Sequence, residues 1–91
     1  MDLKEIQERN YAATVRRGLI NIFTDFNDFY LKIVEETEEL NKSKLPFSPP
    51  DDFDSTELAD IIIVCLNMAK HFNIDIEQIL SEKTIFNENR K

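Results

Sequence analysis

The chain reads as all-α, four helices with one proline-rich connection. Three observations predict this class. Apolar residues recur at helical spacing, and strand-like alternation survives nowhere. Gly18 is the only glycine, and Pro46, Pro49 and Pro50 fall close together, so there are few forced breaks. Residues that cap helices, Thr24, Asp54 and Asp75, stand just before three of the periodic stretches.

The first helix is expected from about Asp2 to Arg17, with Arg16 and Arg17 in its last turn and Gly18 as its C-terminal cap. Thr24 is expected to cap the second, whose first turn carries Asp25 and Asp28. Phe26, Phe29, Tyr30, Ile33, Val34, Thr37 and Leu40 form its apolar stripe, and it should end near Lys42. Ser43 to Phe53 holds the prolines and reads as a loop long enough to lie over something. Asp54 or Ser55 caps the third helix, and Asp54 would place Glu57 at N3 of a capping box. That helix should end near Phe72 and Asn73. Asp75, with Gln78 three residues on, opens the fourth; Ile76, Ile79 and Leu80 give its apolar face, and Ile85 and Phe86 extend it. No repeat or low-complexity stretch is present, so residues 1–91 read as one domain.

Composition narrows the partners. A net charge of −7 and a pI near 4.6 argue against nucleic acid or an anionic membrane. Hydrophobic residues make up 42%, with seven Phe, a generous share for a small domain whose own core is limited. The surplus points to burial against another copy of the chain. The start, Met1-Asp2-Leu3-Lys4-Glu5, is polar and lacks an apolar leader, and the run from Ala59 to Ala69 is too short to span a bilayer and carries Asp60. A soluble cytoplasmic protein is expected. Cys65, the single cysteine, is expected to be an inert core thiol in a reducing compartment.

The acidic residues carry the chemistry. Between Leu58 and Met68 the only polar positions are Asp60 and Asn67, and at about 100° per residue Glu57, Asp60, Asn67 and His71 share one stripe. A helix apolar almost all round is expected to be buried, and buried carboxylates must be paired, protonated or bound to a cation. Two like charges about 4 Å apart repel by about 4 kcal/mol at an effective dielectric of about 20. A divalent metal is the simplest counter-charge. Within Glu35-Glu36-Thr37-Glu38-Glu39, Glu36 and Glu39 are three apart and converge, as do Glu57 and Asp60. If the second and third helices pack side by side, these four carboxylates face one another. An all-oxygen set suits Mg²⁺, with Mn²⁺ as a substitute, and disfavours Zn²⁺; the remaining positions on such an ion characteristically take phosphates. The bland alternatives are a solvated helix face for Glu35 to Glu39 and a cap for Glu57. Asp60 resists them, because no Lys or Arg lies within a turn of it on its own helix.

Glu35-Glu36-x-x-Glu39-Leu40 followed by Glu57-Leu58-x-Asp60 resembles the MazG-type all-α nucleoside triphosphate pyrophosphohydrolases, whose signature is EExxE then ExxD on neighbouring helices. Lys83-x-x-x-Asn87-x-x-Arg90 looks like that family's C-terminal K…N..R element, and the likeness runs from about Phe26 to Arg90. The resemblance implies a four-helix unit that forms a homodimer or homotetramer and uses Mg²⁺ to hydrolyse NTP or dNTP to the monophosphate and pyrophosphate. By position it makes Glu36, Glu39, Glu57 and Asp60 the metal ligands. Glu35 would help orient or deprotonate the water, and Lys83, Asn87 and Arg90 would contact the nucleotide.

Cleavage between the α and β phosphates fits these residue types, since it needs an in-line water and heavy charge neutralisation. For Lys83 and Arg90 the alternative is a favourable charge near a helix C-terminus. His71 reads as a surface residue at a helix end, Asn67 as an interhelical hydrogen bond or a ribose contact, and Lys32 as a salt-bridge partner of Glu36. Arg16 and Arg17 read as helix-end charge, with contact to a triphosphate from a partner subunit the sharper option. Phe47 and Phe53 read as anchors of the proline loop, or as surfaces on which a base stacks. A di-iron bundle is disfavoured, because it needs Glu-x-x-His where this chain has Glu57-x-x-Asp60. A non-catalytic helical interaction module is the remaining competitor.

Overall fold

The computed structural model describes residues 1–47 and 49–90, and among them the chain is all-helical: α1 (Leu3–Arg16), α2 (Phe26–Ser43), α3 (Ser55–His71) and α4 (Ile76–Glu88). No helix is long and apolar enough to cross a membrane. The ends follow from local chemistry. Asp2 accepts a hydrogen bond from the Glu5 amide at 2.8 Å and opens α1. At its far end Gly18, at φ +75°, lets the Leu19 amide reach the Thr14 carbonyl (3.1 Å) and its own amide the Val15 carbonyl (2.9 Å), a Schellman turn. Asn73, at φ 56°, closes α3 the same way, with Ile74 bonding Ala69 at 2.8 Å.

The cap of α2 is Asp25, one residue later than the expected Thr24. Asp25 and Asp28 exchange side-chain-to-backbone hydrogen bonds at 2.9 and 3.0 Å, a reciprocal pair that a lone threonine does not supply. The Thr24 hydroxyl instead accepts from the Asn21 amide. Asp54 caps α3, but without the expected capping box: its carboxylate takes the Thr56 amide and hydroxyl, and those bonds lower its pKa. Glu57 is thereby free of the cap.

Helix α3 packs against both α1 and α2. It runs antiparallel to α2: Phe29 meets His71 and Phe72, Glu36 meets Glu57 and Asp60, and the Ser43 hydroxyl accepts from the Asp54 amide. Ile20, Phe29 and Val64 form the core, with Tyr11, Ile33 and Met68 packed on it. Burying a phenylalanine such as Phe29 contributes about 1.5–3 kcal/mol.

Three expectations are corrected. The third helix is not buried all round: Leu58, Ile62 and Cys65 lie on an open face, because only α1 and α2 cover it, so Cys65 is an exposed thiol. Helix α4 makes no extensive contact with the other three and leaves Ile79, Leu80, Ile85 and Phe86 about half exposed. The radius of gyration, 15.4 Å, accordingly exceeds the roughly 12 Å of a compact domain of this length. Phe47 is fully exposed and Phe53 nearly half exposed, so neither anchors the proline loop to the core.

Candidate functional site

The antiparallel register of α2 and α3 brings carboxylates from both helices together. Glu36, Glu57 and Asp60 each offer an oxygen, and the three oxygens lie within 4.8 Å of one another. At an Mg–O distance of about 2.1 Å, neighbouring oxygens of an octahedral shell are about 3.0 Å apart and opposite ones about 4.2 Å. The trio therefore fits one face of such an ion after small side-chain movements. Burial is graded: the Glu36 side chain is only 13% exposed, Glu57 is half-buried, and Asp60 is exposed.

Desolvation raises the Glu57 pKa, and the charges of Asp60, Asp54, Glu39 and Glu36 push in the same direction. The counter-charge now in place is Lys32, one turn before Glu36, whose ammonium lies 3.1 Å from Glu36 and 3.3 Å from Glu35. Burial alone would lower the Lys32 pKa; hydrogen bonds and charge from Glu36 and Glu35 outweigh it, and the net shift is upward. The expected Lys32–Glu36 salt bridge is thus present.

Other expected site residues are placed differently. Glu39 is exposed and outside the trio, though near enough to act on the Glu57 charge. Glu35 is exposed and tied to the cluster only through Lys32. Lys83 and Asn87 lie on α4, and Arg90 lies just beyond it. All three are exposed and none lines the groove of the carboxylates. Lys83 rests over the Phe86 ring, 4.6 Å from its centroid.

A cavity of about 450 Å³ opens beside the trio. Its lining includes Glu36, Asp60 and Lys32, the polar residues Asn10, Thr14, Arg17 and Asn67, and the apolar Phe29 and Val64. Its size is in the range of ligand pockets, about 300–1,000 Å³. Arg17 is one of the two arginines that the sequence offers for a triphosphate, whereas Asn10 and Thr14 belong to no motif that marks them as cavity residues. His71, expected as a surface residue at a helix end, is instead held on both ring nitrogens. One ring nitrogen lies 2.9 Å from the Tyr11 hydroxyl and the other 2.8 Å from the Thr24 carbonyl, so it ties α1 and the entry to α2 onto the end of α3. A neutral ring satisfies both, donating to the carbonyl and accepting from the tyrosine.

Comparison with protein-family models, curated proteins and solved structures returns no match for this chain.

Proposed function

We propose that this chain is a Mg²⁺-dependent nucleoside triphosphate pyrophosphohydrolase that cleaves NTP or dNTP between the α and β phosphates. The convergence of Glu36, Glu57 and Asp60 from two helices, two of them lining a cavity, carries the reading. The resemblance of the paired acidic motifs to the MazG-type enzymes agrees with it.

In this reading Glu36, Glu57 and Asp60 would hold the ion, with Glu39, the fourth ligand that the resemblance implies, standing outside the trio. The ion supplies charge neutralisation for the phosphates and the leaving pyrophosphate. Water attacks the α phosphorus, the bond from that phosphorus to the bridging oxygen breaks, and monophosphate and pyrophosphate leave. Glu35 is the base proposed to take the water's proton. Lys32, whose ammonium lies against Glu35 and Glu36, is the cation of this chain that would pair with a phosphate oxygen. Lys83, Asn87 and Arg90 reach the nucleotide only if α4 folds over a site, its own or that of a second copy. The half-exposed apolar residues of α4 and the open face of α3 support a homodimer or homotetramer that buries them. The same exposed surface favours the second reading, a helical interaction module without catalysis.

The test is pyrophosphate and monophosphate release from canonical and modified NTPs and dNTPs, with Mg²⁺ and with chelator. Pyrophosphate that disappears in Glu57→Gln and Asp60→Asn, with folding intact, supports the enzyme; orthophosphate as direct product rejects the proposed bond.

A further inference from the structure

Asn67 lines the cavity between α1, α2 and α3, and its side-chain oxygen finds no partner among the described residues. Asn67 is 5% exposed, and its Oδ1 accepts no hydrogen bond. A buried acceptor left unmade costs about 1–3 kcal/mol, so a buried orphan at a cavity wall points to a missing donor. The orientation of the amide is fixed by its neighbours. The Thr14 hydroxyl gives its proton to the Asn10 carbonyl at 2.7 Å, so towards Asn67 it can only accept, and the Asn67 Nδ2 faces it at 3.4 Å. Oδ1 is therefore the atom left for a ligand.

Asn10 reinforces the pattern. Its Nδ2 donates to the Ile6 carbonyl at 2.8 Å, leaving its own side-chain oxygen as an acceptor, and Asn10 lines the same cavity. Two carboxamide oxygens in a cavity also lined by apolar side chains suit a flat ring with a donor-rich edge. Asn67 follows Asp60 by two helical turns, about 10 Å along α3, the span of a sugar and base leaving a metal-held phosphate.

We propose that Asn67, with Asn10, reads the base of the nucleotide, and that the pocket takes bases bearing an exocyclic amino group in preference to uracil or thymine. This rests on the proposed reaction only for the phosphate end; the base pocket stands on the Asn67 geometry.

The experiment therefore omits both phosphate and metal. Cytidine, adenosine, guanosine, uridine and thymidine, with their 2′-deoxy or ribo counterparts, are titrated into the full chain by NMR and calorimetry, alongside Asn67→Leu and Asn10→Ala. At least one amino-bearing nucleoside should bind, about tenfold or more tightly than uridine and thymidine, and Asn67→Leu should erase that difference. Asn10→Ala should weaken the same nucleoside and serves as the second variant if Asn67→Leu lowers the melting temperature too far. Binding by no nucleoside, equal binding of all five, or discrimination unchanged in both variants would overturn the assignment, the last showing an amide satisfied by water alone. Pyrophosphate release is scored separately, so each reading can fail without the other.

Discussion

Replacing Glu57 by Gln tests the linkage between the carboxylate trio and a cation without relying on catalysis. With no metal, three carboxylate oxygens within 4.8 Å are balanced by Lys32 alone among the described residues. The raised Glu57 pKa means the folded chain holds that proton more tightly than the unfolded chain. The stabilisation is fully present below the ordinary glutamate value of about 4.3 and is lost as pH rises through the raised folded value. The loss of the Glu57 proton leaves its charge beside those of Asp60 and Glu36, a repulsion that a bound divalent cation relieves. At ten times its dissociation constant Mg²⁺ stabilises by about 1.4 kcal/mol, a melting-temperature rise of about 6–11 °C for a domain of this length. Differential scanning fluorimetry at pH 7.5, over a Mg²⁺ series and with chelator, should show that rise in the parent. Glu57→Gln should lose most of the Mg²⁺ increment while melting no lower than the metal-free parent. Glu8→Gln, an exposed glutamate on α1 outside the trio, should keep the full increment. The reasoning is refuted if Mg²⁺ shifts nothing, or shifts Glu57→Gln as much as Glu8→Gln.

Three further outcomes follow from the same geometry. Lys32→Met should cost about 1 kcal/mol or less in urea melts, since the lysine is half exposed, yet should tighten Mg²⁺ binding by calorimetry because it removes the competing cation. Tyr11→Phe strips the donor from one His71 nitrogen and should destabilise by about 1–2 kcal/mol in the same melts. Gly18→Ala should cost about 1–2 kcal/mol, entirely from the positive φ, because an added Cβ would meet nothing within 4 Å; an unchanged stability would show that the turn adapts.

Much of the fold was legible because helix ends are written locally. Gly18 and Asp75 announce their roles by residue type and position, Asp54 shares its candidacy with Ser55, and the 3.6-residue periodicity locates all four helices. Thr24 and Asp25 both qualify by type as the cap of α2, and only the reciprocal bond with Asp28 separates them. The meeting of Glu36 with Glu57 and Asp60 is legible as a spacing pattern on two helices that pack side by side, but spacing alone does not separate Glu36, which faces α3, from Glu39, which stays exposed outside the trio. What stayed hidden depends on partners distant in sequence. Leu58, Ile62 and Cys65 look like core by composition, but composition does not say that α4 stands away from them. His71 looks like a solvated helix end until Tyr11 and Thr24, 60 and 47 positions away, are brought beside it. The interhelical hydrogen bond expected of Asn67 is present, but its partner, Thr14, is set by the same long-range packing of α1 on α3.

The most direct measurement is the product of one reaction mixture: chain, nucleoside triphosphate panel and Mg²⁺, resolved by ion-exchange chromatography or ³¹P NMR, beside the same mixture with chelator and with Asp60→Asn. Equimolar nucleoside monophosphate and pyrophosphate, lost on chelation and in Asp60→Asn, is the predicted result. Nucleotides that stay intact with Mg²⁺, or are cleaved equally by Asp60→Asn, would contradict the account.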